Sequence, residues 1–173
     1  MLIQKHKKNF KKNKKSFKKF LKKFDDKYVP EIAEFAAVAE KKAWKKIDCL
    51  DCGNCCRKMT PTFQAADITR IAKHLGMTEA AFKKKWIKRE EAEEDGTPGD
   101  LVNISQPCQF LNLEDNKCSI YEVRPADCAE FPHFAKKDFE DQNETYMQNL
   151  KFCPVTYEFV KKVKQQVEDE YEW

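Results

Sequence analysis

Eight cysteines, four of them packed into the octet Cys49-Leu50-Asp51-Cys52-Gly53-Asn54-Cys55-Cys56, constrain this chain more than any other feature. Thiolates are soft ligands, and two cysteines separated by two residues can turn both sulfurs towards one ion. That half-site spacing occurs twice in succession here, around Gly53 and Asn54, residue types that tolerate the positive φ a chain needs to wrap a metal. Cys108, Cys118 and Cys128 follow, with nine residues between each and the next, and Cys153 completes the eight. Eight thiols suffice for two four-sulfur zinc sites, or for one iron–sulfur cluster with secondary thiols, and spacing alone does not divide them. Neighbouring side chains diverge, so Cys55 and Cys56 are expected to serve different sites or to leave one thiol over.

The alternative use of eight cysteines is a framework of four disulfides, which belongs to oxidising compartments. A secretory signal needs an uninterrupted apolar stretch after a short basic start, whereas lysine recurs throughout residues 1–24. No apolar run reaches the roughly 18 residues of a membrane span. The expected location is therefore the cytoplasm, where thiols stay reduced and metal is the better explanation.

Bacterial ferredoxins use Cys-x2-Cys-x2-Cys-x3-Cys-Pro. The first three cysteines of the octet match, but Met59 stands in the fourth position and the Cys-Pro pair comes only at Cys153-Pro154, so an electron-transfer ferredoxin is disfavoured. His133, five residues after Cys128, has the chemistry to replace a thiolate, although beside Pro132 and Phe134 a structural role is the simpler reading. His6 and His74 are expected at the surface.

Around the cysteines the chain reads as mainly α, with a small irregular β-hairpin: a compact cysteine-rich metal-binding domain framed by helices. Only four glycines among 173 residues, with 36% charged side chains, suit helices better than sheets. Residues 1–28 form a lysine-rich amphipathic helix and residues 29–173 a single metal-binding domain. In the first, Phe10, Phe17, Phe20, Leu21 and Phe24 recur at helical spacing among lysines. Such a helix can lie on an anionic membrane or touch nucleic acid, but docking of the Phe stripe on the domain is the simpler reading.

Further helices are expected over 31–46, over 62–75 with Thr62 as N-cap and Gly76 as stop, after Thr78, around 121–128 with Pro125 either in a first turn or breaking the segment, and from Pro154 onwards. A short strand is expected at Leu101–Ile104, and a hairpin between Cys108 and Cys118 turning at Glu114–Lys117. Nothing resembles a phosphate-binding glycine loop, a Gly-x-Ser-x-Gly elbow or a His-Glu-x-x-His helix.

The ordered series Cys49-x2-Cys52-x2-Cys55-Cys56, Pro107-Cys108-Gln109-Phe110-Leu111, Cys118-Ser119-Ile120-Tyr121, Arg124-Pro125-x2-Cys128 and Phe131-Pro132 resembles the YkgJ-type cysteine-cluster family of zinc- or iron-chelating proteins. The resemblance runs from about Cys49 to Cys153. It implies a metal ion as partner, zinc or iron, with a four-iron, four-sulfur cluster included among the options, and all eight cysteines as ligand candidates. Within the matching segments Arg124 is a candidate for supporting the bound group, by donating to thiolates or sulfide and offsetting their charge, the alternative being an ion pair with Glu122 or Asp127.

Three functions stay open at this stage. The first is a metal-binding protein that stores, senses or delivers the ion, or uses it to hold a surface for a protein partner. The second is an iron–sulfur redox module or a protein-modifying enzyme, since flagellin lysine N-methylases carry a similar cysteine pattern. The third is nucleic-acid or membrane-surface binding through the basic N-terminus, the least favoured of the three.

Overall fold

The computed structural model describes residues 2–135 and 137–173. Among them the chain is mainly helical, with one two-stranded antiparallel sheet, and it divides into two compact units. One unit is built from residues 1–52 and 132–173, the other from residues 53–131. No helix among the described residues is long and apolar enough to cross a membrane.

The first unit is organised by its last helix. Pro154 supplies the missing-donor residue at the start of α9 (Pro154–Glu170), and Val155, Phe159, Val160, Val163 and Val167 give it a buried stripe. Helices α1 (Leu2–Lys22), α2 (Ile32–Trp44) and α8 (Asn143–Phe152) all pack on α9. Ile32, Phe35, Ala39 and Ala43 form the inner face of α2. Phe134, Phe139, Tyr146 and Phe159 make an aromatic cluster beside them, with the Phe134 and Phe159 rings stacked at 4.1 Å.

Helix α1 buries Phe17, Phe20 and Leu21, each at most 2% exposed. His6 continues the same stripe, contrary to the surface position expected for it: it is buried, meets Tyr157 edge-on at 5.7 Å, and its Nε2 lies 3.3 Å from the Lys151 carbonyl. Burial lowers its pKa from the ordinary histidine value, so the ring inside this lysine-rich helix is neutral at pH 7. His74 is exposed as expected.

The second unit is built around α5 (Ala65–His74), α6 (Glu79–Trp86) and the sheet of β1 (Ile87–Arg89) and β2 (Leu101–Asn103). The strands pair antiparallel with Ile87 opposite Asn103 and Arg89 opposite Leu101. Phe63, Ile68, Ile71, Phe82, Ile87, Phe110 and Ile120 close the core. Gly76 ends α5 as its composition demands: at φ +65° it donates to the Lys73 carbonyl while Met77 donates to that of Ala72, the paired bonds of a Schellman stop. Thr78 caps α6 through the Ala81 N–H.

One local expectation is corrected and two are made specific. Helix α5 begins at Ala65, because Phe63 N–H donates to the Leu101 carbonyl and pulls 62–63 into extended pairing with β2; Thr62 is not its cap. The strand partner of Leu101–Asn103 is Ile87–Arg89, across the charged loop, and the hairpin expected between Cys108 and Cys118 is a short one: Leu111 bridges Cys118, with Asn112 N–H donating to the Lys117 carbonyl and Ser119 N–H to that of Phe110. Pro125 splits the segment 121–128 into a 3-10 turn at Tyr121–Val123 and a short helix α7 (Ala126–Glu130).

Candidate metal centre

The octet is cut by the boundary between the units, just before Gly53, whose left-handed backbone a side chain opposes. Cys49–Cys52 form a single helical turn, α3, of the first unit, and Asn54–Lys58 form α4, the start of the second. Gly53 stands before α4 at φ +54°. A Cβ there would lie 2.9 Å from Arg57 Nη1 and 3.1 Å from Asn116 Cβ. Those two residues are joined, Arg57 Nη1 donating to Asn116 Oδ1 at 2.6 Å and Nη2 to the Leu113 carbonyl at 3.1 Å, which clips the turn before Cys118 onto α4. Gly53→Ala should therefore cost about 2 kcal/mol, left-handed strain plus displacement of the clip. Urea denaturation checks this; a variant as stable as its parent would show that the left-handed turn is dispensable.

Cys55 and Cys56 follow on α4. Side chains one residue apart on a helix diverge, yet these two Sγ atoms lie 3.9 Å apart, so the expected separation of the two thiols is not what is found. The contact with Cys55 is the largest of the effects that lower the Cys56 pKa to about 7, with a smaller contribution from the charge of Arg57 and against the effect of burial. The Cys56 carbonyl accepts from Cys108 N–H at 2.9 Å, fixing α4 to the second cysteine segment.

Cys108 lies on a turn that offers donors to its sulfur. Burial raises its pKa, and the backbone N–H groups of Phe110 and Leu111, with the Asn103 side chain, oppose that rise. Asn103 is itself buried: its Nδ2 is 3.3 Å from Cys108 Sγ, and its Oδ1 accepts from Gln109 Nε2 at 3.1 Å. Strand β2 thus aims a fixed amide at the thiol. Cys118 repeats the pattern, raised by burial and eased by the Ile120 N–H and by Arg124. Both Cys108 and Cys118 pack against the apolar core, so their positions are set by Phe110 and Ile120 two residues on.

Cys128 arrives on α7. Its pKa is raised first by burial and then by the charges of Cys56, Asp127, Cys108 and Cys118, which places all four thiols within one another's field. Helix α7 is held by buried Asp67 of α5, whose Oδ1 accepts from the Ala126 N–H at 3.1 Å and from Arg70 Nη2 at 2.7 Å, while Oδ2 accepts from Gln64 N–H at 2.9 Å. Asp127 accepts from Thr62 N–H at 3.0 Å. Arg124 stacks over the Tyr121 ring at 3.9 Å and donates to the Tyr121 carbonyl at 2.7 Å; its charge lowers the Cys118 pKa.

The remaining thiols, Cys49, Cys52 and Cys153, belong to the first unit. Cys52 and Cys153 are buried. Cys153 is the N-cap of α9, its sulfur accepting from the Thr156 N–H at 3.4 Å. Burial raises its pKa, backbone N–H groups of Val155 and Thr156 oppose the rise, and the charge of Cys52 adds to it. His133, in the same unit, takes a left-handed φ of +66°.

None of the eight cysteines is in a disulfide. Buried sulfurs facing backbone N–H groups are suited to holding a thiolate once a cation offsets its charge, so the donor chemistry fits zinc or iron. The side chains as they stand do not close on one point: among the described residues no three His, Cys, Asp or Glu side chains form a group placed to hold an ion.

Asn103 and Asp67 are the residues that sequence reasoning passed over. Asn103 carries no signal in a short strand, because its role depends on β2 pairing with β1. Asp67 had one, an acid three residues into a helix whose N-terminus it can satisfy.

A comparison with curated proteins finds an uncharacterized protein of Methanocaldococcus jannaschii, 31% identical over 124 residues, which are 71% of this chain and 63% of the relative. The chain thus spans less than two thirds of that relative's length. No solved structure matches. A family model matches residues 48–154, from the residue before Cys49 to the residue after Cys153. With all eight cysteines inside that match, the chain belongs to the CxxCxxCC family, described as a "putative zinc- or iron-chelating domain".

Proposed function

We propose that this protein binds zinc or iron through its clustered cysteines, and that within residues 53–131 the ligands are Cys56, Cys108, Cys118 and Cys128. The observation that carries this reading is the gathering of these four thiols in one electrostatic field, with Cys108, Cys118 and Cys128 half-buried and raised in pKa first by that burial and then by the charge of neighbouring thiolates. Without a cation such thiols stay protonated, since burial opposes ionisation and each neighbouring ionisation opposes the next. A divalent ion removes that opposition and is held by four soft donors.

Arg124, the N–H groups of Phe110, Leu111 and Ile120, and the Asn103 amide then stabilise the bound thiolates from behind. Cys55, Cys49, Cys52 and Cys153 are additional ligand candidates, with Cys52 and Cys153 forming the buried pair of the first unit. A bound zinc would supply charge and a fixed geometry; iron, alone or in a cluster, would add one-electron chemistry.

The test is elemental analysis, a visible spectrum and timed alkylation of the eight thiols, on protein prepared without oxygen from cells given both metals. Zinc or iron should accompany the protein, and Cys56, Cys108, Cys118 and Cys128 should be protected until a chelator is added. Brown absorption with acid-labile sulfide would assign a cluster, and colourless zinc protein would exclude the redox reading. If no metal accompanies the protein and added ion protects none of the thiols, the proposal is wrong.

A further inference from the structure

We infer that the outward face of α1 binds the phosphodiester backbone of a nucleic acid. The helix has 21 residues, a rod of about 31 Å at 1.5 Å per residue. It carries no acid, and ten of its residues are exposed lysines. At 3.6 residues per turn, Lys8, Lys11, Lys15, Lys18 and Lys22 fall in one row on the side opposite Phe17, Phe20 and His6. Among the described residues no ion pair engages any lysine of α1. Glu168 and Asp169 of α9 border a cleft shared with Asn13 and Ser16, outside the row, and Glu168 is paired with Lys164.

This arrangement opposes the helix that carries it. Lys8 and Lys12, Lys11 and Lys15, Lys14 and Lys18, Lys15 and Lys19, and Lys18 and Lys22 are like charges four residues apart, each pair destabilising. The first turn also holds no acid to complement the N-terminal dipole. What holds α1 in place is its apolar stripe on α8 and α9. A polyanion along the row removes the repulsion that the chain itself does not relieve.

The same burial decides which polyanion. An interfacial helix inserts its apolar face between lipid headgroups, and here Phe17, Phe20 and Leu21 are already covered by protein. The face left over is charged and straight, with nothing to insert. That suits a strand or duplex whose phosphates recur along the rod, read without regard to base sequence.

The test uses the full chain, loaded with its metal, and labelled 24-mers of duplex DNA and of single-stranded RNA, with phosphatidylserine vesicles as a third arm. Binding should weaken with salt at a logarithmic slope of about −4.5 for the duplex and about −3.5 for the single strand, set by the five lysines of the row. Lys8, Lys11, Lys15 and Lys18 all changed to Gln should flatten that slope by about 3 and weaken binding at least about 100-fold near 0.1 M salt, with helicity and metal content unchanged. The same four changed to Arg should retain binding, which keeps the test decisive should the Gln variant fail to fold. Binding to neither oligonucleotide at low salt, binding to vesicles alone, or a slope indifferent to the four lysines would each overturn the inference. Because metal content is read separately, none of these outcomes is confused with failure of the metal site.

Discussion

Cys128→Ser should cost the protein roughly 100- to 1,000-fold in metal affinity. Four-ligand structural zinc sites bind with apparent free energies of about 10–16 kcal/mol, so one thiolate in four is worth about 2.5–4 kcal/mol if the ligands share equally. Serine keeps the volume and offers a hard, weakly acidic hydroxyl in place of a soft thiolate. The fold of residues 53–131 gives no reason to expect much else to change, because α7 is anchored through Asp67 and Asp127 rather than through the sulfur. Competition with a chromophoric chelator measures the effect, and circular dichroism confirms that the helices persist. Unchanged affinity would remove Cys128 from the ligand set and leave its burial beside Cys56, Cys108 and Cys118 without a purpose.

The same variant separates two ways in which a thiol cluster can matter. If the ion chiefly holds the unit together, the variant and the chelated parent lose thermal stability by similar amounts, since binding free energy is then folding free energy. If the core of Phe63, Ile68, Ile71, Phe82 and Phe110 is sufficient by itself, chelation leaves the transition nearly where it was, and the ion is exchangeable cargo or a sensor input. A core cluster of eight buried apolar residues, with Val102 and Leu111 buried besides, places a unit of this size near the range where a core alone is marginal.

The parts of the fold that were legible in the sequence are those fixed by local chemistry. Gly76 after an amphipathic run, Thr78 before the next, and Pro154 ahead of a valine-rich stripe each dictate a helix end through backbone bonds that need no distant partner. The cysteine octet was equally plain as the mark of the family, whose match spans residues 48–154. What was not legible depends on pairing across the chain. Lys88 and Arg89 look like solvent-facing charge at the end of a helix, and become strand only because Leu101 and Val102 lie alongside.

Thr62 reads as a cap until Phe63 is drawn to Leu101. His6 is the instructive case: among lysines it reads as surface, although its spacing to Phe10 and Phe17 already placed it on the buried stripe. The convergence of Cys55 and Cys56 runs against a correct rule about adjacent helical side chains. Short α4 leaves the two sulfurs within 3.9 Å despite that rule, and the geometry of so short a turn is not written in composition.

The apolar core and the sulfurs meet at Phe110, and Phe82→Ala tests that junction. Phe82 is fully buried, with its ring parallel to that of Phe110 at 6.4 Å, edge-on to Trp86 at 5.4 Å and 6.1 Å from Phe63. Truncation to Ala should cost about 3–5 kcal/mol, the lost transfer free energy plus a cavity that four elements cannot fill together. For a chain of this length that corresponds to a fall in Tm of about 10 °C, read by calorimetry on the metal-free protein.

The consequence for the site follows from one backbone group. The Phe110 N–H is among the donors that face Cys108 Sγ, and a Phe110 ring free to move into the cavity carries that donor with it. Metal affinity should fall as well, by about tenfold, the scale on which partners behind a ligand act. Phe82→Leu, which fills most of the space, should restore most of the stability and nearly all of the affinity. A Phe82→Ala protein that loses stability but binds its ion as tightly as the parent would show that the thiol turns hold their shape without the core behind them, and that the bond from Cys108 N–H to the Cys56 carbonyl is enough to set the site.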